Sequence, residues 1–113
     1  MSSRTRWITE MGMGVDVHGG DYTKAARRAV SDALRHSSLN LFNATGKTRD
    51  DMFVDVVVGV AKPDEVDVAA VATEVPYGTV TVTAEMGGLD VPTPAGDDVL
   101  IMANAAILVS FED

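Results

Sequence analysis

Apolar positions recur every second residue in some stretches of this chain and at helical spacing in others, and that pattern alone predicts most of its elements. A first strand is expected over residues 6–13, reading RWITEMGM, followed by a glycine-rich loop over 15–20. Tyr22, Ala25, Ala26, Ala29, Val30, Ala33 and Leu34 then fall on one face of a helix expected over 22–36. Lys24, Arg27, Arg28, Ser31 and Arg35 fall on the other face. Asp21 stands where an N-cap is needed, its carboxylate able to accept a free N–H of the first turn. Residues 37–51 show no period and carry Leu39, Leu41 and Phe42, apolar groups that require a core or a neighbouring subunit. Val54, Val56, Val58 and Val60 line one face of a strand over 52–60. Asp67 caps a short helix over 68–74 with Val68, Val71, Ala72 and Val75 at helical spacing, and Pro76 ends it. Residues 79–86 alternate again, with Val80, Val82, Ala84 and Met86 inward. Gly87 and Gly88 mark a bend, and residues 89–91 read as a short strand. Residues 99–111 are apolar nearly throughout, as in a central strand covered on both faces.

The order is β-α-β-α-β-β. That is an α+β fold, one domain over residues 1–113, with a mixed sheet carrying helices on one face. The opposite face bears Phe53 and Val57 and is expected to be buried by self-association. Seventeen valines against six leucines and only six aromatic residues fit a strand-rich core of small aliphatics.

Charge adds an asymmetry. The formal net charge is −8, but residues 1–50 hold eight bases and five acids while residues 51–113 hold one base, Lys62, and twelve acids. The first part is therefore net +3 and the second net −11. Faces of opposite sign suit copies that attract one another, while the overall acidity argues against a nucleic-acid binder or a polybasic membrane anchor. The chain has no cysteine, which removes disulfide scaffolds and cysteine-ligated zinc. No apolar run approaches the roughly 20 residues a membrane span needs, and no signal peptide is evident, so a cytoplasmic location is expected.

The candidate chemistry lies in EMGMGVDVHGGD, residues 10–21, which contains Gly12-x-Gly14-x-Asp16-x-His18-Gly19. Glycines at a strand-to-helix turn permit positive φ and close backbone approach. Free N–H groups at the following helix start can hold an anion, with Lys24 adding a charge and Thr23 a hydroxyl. Asp16 and His18, one residue apart, share a face of an extended segment and can act as orienter and base, or hold a metal from two points. A metal would need a third ligand, which the segment does not supply, and no cofactor is implied. The spacing is neither the dinucleotide fingerprint nor a Walker loop. Structural roles compete throughout: Asp16 as an acceptor for loop N–H groups, His18 as a cap.

This segment, with DYTKAARRAVSDAL at 21–34, VPYGTVTV at 75–82, GGL at 87–89 and NAA at 104–106, resembles a small family of conserved hypothetical proteins marked by Gly-x-Gly-x-Asp-x-His-Gly near the N-terminus. The matching positions are Gly12, Gly14, Asp16, His18 and Gly19, and the resemblance implies no activity. At the level of fold the chain is similar to a single repeat of the cyanuric acid hydrolase and barbiturase enzymes, which string three such units together. That similarity implies a homo-oligomer of three copies or a multiple of three. The Ser–Lys pairs of those enzymes are not matched by Lys24, Lys47 or Lys62. Three functions follow as expectations. The first is a homo-oligomeric domain binding a small polar or anionic ligand at residues 12–21 through Gly12, Gly14, Asp16, His18, Gly19, Thr23 and Lys24. The second is a small hydrolase of cyclic amides with Asp16 and His18 as its acid–base pair. The third is an assembly module without a ligand.

Overall fold

A five-stranded sheet carries two helices on one face, and its longest strand runs through its centre. The computed structural model describes residues 3–36 and 46–113, so the apolar Leu39, Leu41 and Phe42 lie outside the described residues. The elements are β1 (Arg4–Asp16), α1 (Tyr22–Leu34), β2 (Phe53–Val60), α2 (Val68–Ala72), β3 (Thr79–Met86), β4 (Leu89–Pro92) and β5 (Val99–Glu112). Short 3-10 turns at Arg49–Asp51 and Pro63–Glu65 precede β2 and α2. The fold is α+β with a mixed sheet, as the periodicity predicts.

The strand order is β1-β5-β2-β3, with β4 also paired to β5. β5 is antiparallel to β1, β2 and β4, whereas β2 and β3 are parallel. The last strand is thus inserted between the first two, and α1 and α2 make the crossovers that parallel strands require. β4 meets β5 at residues 99–102, just beyond the stretch at 104–110 that pairs with β2.

The core lies between sheet and helices. Val54, Val56, Val58 and Val60 of β2 and Ile101, Ala103, Ala105, Ile107, Val109 and Phe111 of β5 are buried, facing Tyr22, Ala25, Ala26, Ala29, Val30 and Ala33 of α1. The helical stripe read from the sequence is therefore the buried one, with Leu34 partly buried. Both caps form: the Lys24 N–H donates to Asp21 Oδ1 at 3.0 Å and the Ala70 N–H to Asp67 Oδ1 at 3.2 Å.

Three expectations are corrected. β1 runs through Asp16 rather than ending at Met13, because its pairing with β5 continues to the Asp16–Ile101 register, so Val15 and Asp16 belong to the strand and not to a loop. The second helix stops at Ala72, its C-cap at Thr73, short of the expected end at Glu74. Met86 alternates inward by sequence but is 75% exposed, because it ends the edge strand beyond the reach of α2. β5 is central, and within one chain its even-numbered residues, Leu100 and Asn104 among them, look out from the side without helices.

Candidate functional site

β1 and α1 touch along a seam of backbone. A Cβ added to Gly14 would sit 2.4 Å from both the Ala25 carbonyl oxygen and the Ala29 nitrogen, and one added to Gly12 would sit 2.4 Å from the Ala33 nitrogen. Two strand residues rise about 6.7 Å and four helix residues about 6 Å, so a glycine every second position on β1 keeps step with an alanine every fourth position on α1. Neither Gly12 nor Gly14 has positive φ; Gly19 and Gly20 do, at 91° and 61°, and they turn the chain from strand to helix. The sequence offers these glycines two uses, and the structure divides them: positive φ at Gly19 and Gly20, close approach at Gly12 and Gly14. The close approach is to a helix, not to a ligand.

α1 also ties down the free edge of β1. The Met13 N–H donates to Asp32 Oδ2 at 3.0 Å, and Arg28 Nη1 donates to the Val15 carbonyl at 2.6 Å. Asp16, at the end of the strand, is 1% exposed. Its Oδ2 accepts the Asp21 N–H at 3.0 Å, and its Oδ1 lies 3.0 Å from Lys24 Nζ and 4.0 Å from Arg28 Nη1. Burial alone would raise this carboxyl's pKa, but the Asp21 N–H, the Lys24 ammonium and the Arg28 guanidinium together outweigh burial and hold it below its ordinary value of 3.8.

His18 goes the other way. Its side chain is 86% exposed, and its Nδ1 lies 2.9 Å from Asp98 Oδ2. Asp98 is itself pinned, its Oδ1 accepting the Val99 N–H at 2.8 Å and the Gly19 N–H at 3.2 Å. The His18 hydrogen bond, followed by those two N–H groups, holds the Asp98 carboxyl below its ordinary value. Nδ1 is occupied and Nε2 is left toward solvent. The expected Asp16–His18 pair is therefore corrected: each has its own partner, because Asp16 ends the strand on the helix-facing side while His18 follows it into the turn.

Lys24 is placed beside Asp16, and Thr23 beside the turn that precedes α2. The Thr23 hydroxyl accepts the Asp67 N–H at 2.9 Å and donates to the Glu65 carbonyl at 3.4 Å, which fastens the start of α1 to the start of α2. An open groove of about 430 Å³ runs along the outer side of α1, lined by Lys24, Arg27, Arg28 and Glu74 among others. Its bases are engaged within the chain, Lys24 by Asp16 and Arg27 by Glu74 at 2.7 Å. At the start of α1 the N-cap N–H of Asp21 donates to Asp16 and the first-turn N–H of Lys24 donates to Asp21, so carboxylates of the chain already take two of the N–H groups an anion would use. Among the described residues no group of three or more His, Cys, Asp or Glu side chains is placed to hold a metal ion.

Asp98 and Asp90 were not among the residues the sequence singles out. Asp98 lies opposite Gly19 by continuing the β1–β5 register, a pairing across 79 positions that no local pattern announces. Asp90 accepts a hydrogen bond from the Tyr22 hydroxyl, and its second oxygen is buried without a partner among the described residues. The hydrogen bond to Asp90, with burial, pushes the Tyr22 pKa up to about 12. Tyr22→Phe leaves that carboxylate without a donor and is expected to cost about 2 kcal/mol in urea unfolding.

Comparison with known proteins places these features in context. A family model described as "Conserved hypothetical protein (Lin0512_fam)" matches residues 6–109. A crystal structure from Nostoc punctiforme PCC 73102, described as an FtsZ-like protein of unknown function, is similar over 100% of both chains, with 36% sequence identity and a TM-score of 0.88. No curated protein matches the chain.

Proposed function

We propose a function for a chain that belongs, by its match over residues 6–109, to the Lin0512 family of conserved hypothetical proteins. It is a homo-oligomeric binding domain of the cytoplasm that holds a small polar ligand at the turn after β1, with His18 as the contact. The carrying observation is the His18–Asp98 pair. An imidazole 86% exposed has no packing reason to be held in one orientation, yet Asp98 fixes its Nδ1 and two backbone N–H groups fix Asp98. With Nδ1–H donating to the carboxylate, Nε2 is an acceptor aimed outward, suited to a ligand N–H or O–H. Gly12, Gly14 and Asp16 support this turn by locking strand to helix, and Lys24 supports Asp16. The engaged bases and partly occupied helix start favour a polar ligand over an anionic one. They also count against a nucleotide held by its phosphates at this loop.

The test is a thermal-shift screen of small amides, amines, alcohols, carboxylates and phosphates on the native protein and on His18→Ala. A compound is expected to raise the native Tm by several degrees, with the shift absent in His18→Ala and reduced in Asp98→Asn. A screen in which every shift survives His18→Ala contradicts the reading.

The same pair favours a second reading, hydrolysis of cyclic amides with His18 as base and Asp98, in place of Asp16, as its orienter. The Thr23 hydroxyl is engaged at both of its hydrogen-bonding positions, which leaves water as the nucleophile. Turnover of cyclic imides that falls at least tenfold in Asp98→Asn would select this reading over simple binding.

A further inference from the structure

The sheet face without helices sorts its charges by strand, apart from Glu112 of β5, which lies opposite Arg4. Directly paired residues point to the same side, so the register assigns Met11 and Met13 of β1, Leu89 and Val91 of β4, and Leu100 of β5 to this face. Their exposures run from 37% to 66%. The pairing of β1 with β5 shifts between Arg6 and Ile8, leaving Trp7 as an extra residue. That bulge reverses the alternation on its N-terminal side. Arg4 and Arg6, paired with Glu112 and Ser110, therefore join the apolar face instead of the core side. Arg4 confirms the placement, with its guanidinium 3.6 Å from the ring centroid of Phe53, which also pairs with Ser110. At the other side of β5 the same face carries Asp55 of β2 and Glu85 of β3. Arg6, Asp55 and Glu85 are exposed and make no ion pair among the described residues.

An apolar centre with a basic margin on β1 and an acidic margin on β2 and β3 is complementary to itself. We propose that a second copy of this chain covers this face, its β1 margin lying against the β2–β3 margin of the first, so that Arg6 of one copy pairs with Asp55 of the other. This rests on the self-association in the reading above and names the surface and the contact that orient it. The apolar centre supplies the attraction, and the segregated charges select one orientation, because a copy turned the other way would set arginine against arginine. The bulge at Trp7 is the device that puts the bases there.

Light scattering on the full chain tests this with three variants: Arg6→Asp, Asp55→Arg, and the two together. The native protein is expected at a multi-chain mass, each single reversal at a smaller mass, and the double reversal at the native mass again. Circular dichroism matching the native spectrum confirms that each variant is folded. A native protein at the mass of one chain overturns self-association and this contact together. A native assembly unaffected by either single reversal, or a double reversal that stays dissociated, overturns this contact and leaves self-association standing.

Discussion

Gly14→Ala is expected to lower the unfolding free energy by about 3 kcal/mol, the upper part of the usual range for overpacking a filled interior. The added methyl would sit 2.4 Å from two atoms, and both belong to the backbone of α1 rather than to a side chain that can rotate away. Relief requires the helix to move outward. Ala25, Ala26 and Ala29, all 0% exposed, would then lose contact with the sheet together. For a domain near 100 residues this corresponds to a fall in Tm of roughly 12–20 °C. Gly19→Ala is the informative control. Nothing lies within 4 Å of a Cβ there, so only the strain of φ at 91° is added, about 1 kcal/mol. Urea unfolding of the two variants separates close approach from backbone conformation as the reason for each glycine.

Asp16→Asn is expected to cost about 2 kcal/mol at pH 7, within the range for hydrogen bonds to a charged group. Asparagine can still accept the Asp21 N–H, but the attraction to Lys24 and Arg28 is lost. Because Lys24 is 46% exposed, it returns to solvent and the loss stays below that of a fully buried pair. The pH dependence follows from the direction of the shift. Asp16 is held below 3.8 in the folded chain, so its contribution is complete above the unfolded value and disappears as pH falls through the folded value. The gap between native protein and Asp16→Asn should therefore be constant from pH 7 to about 5 and close progressively below about 4. Urea midpoints at stepped pH measure it, and a gap that does not narrow as pH falls below about 4 would assign the loss to packing instead of charge.

These expectations show which features were legible in the chain. The buried stripe of α1, its cap at Asp21, the valine face of β2 and the alternation of β3 are local patterns, and local patterns survive folding when burial agrees with them. What joins distant segments was not legible. The insertion of β5 beside β1 set the true end of β1, and it brought Asp98 to His18 across eighty residues. The spacing of Asp16 and His18 suggested a shared face, but the strand ends at Asp16 and the alternation ends with it. The bulge at Trp7 was equally silent, since an extra residue shows only against a partner strand.

The motif residues thus divide into a scaffold and a contact. Gly12, Gly14 and Asp16 join β1 to α1, while His18, oriented by Asp98, faces solvent and is the proposed contact. The urea midpoint of His18→Ala, set beside those of Gly14→Ala and Asp16→Asn, tests that division most directly. The division predicts that His18→Ala unfolds within about 0.5 kcal/mol of the native protein, as exposed substitutions usually do, while the other two lose about 2 kcal/mol or more. A loss in His18→Ala as large as theirs would make His18 part of the scaffold and contradict the proposal that it is a ligand contact.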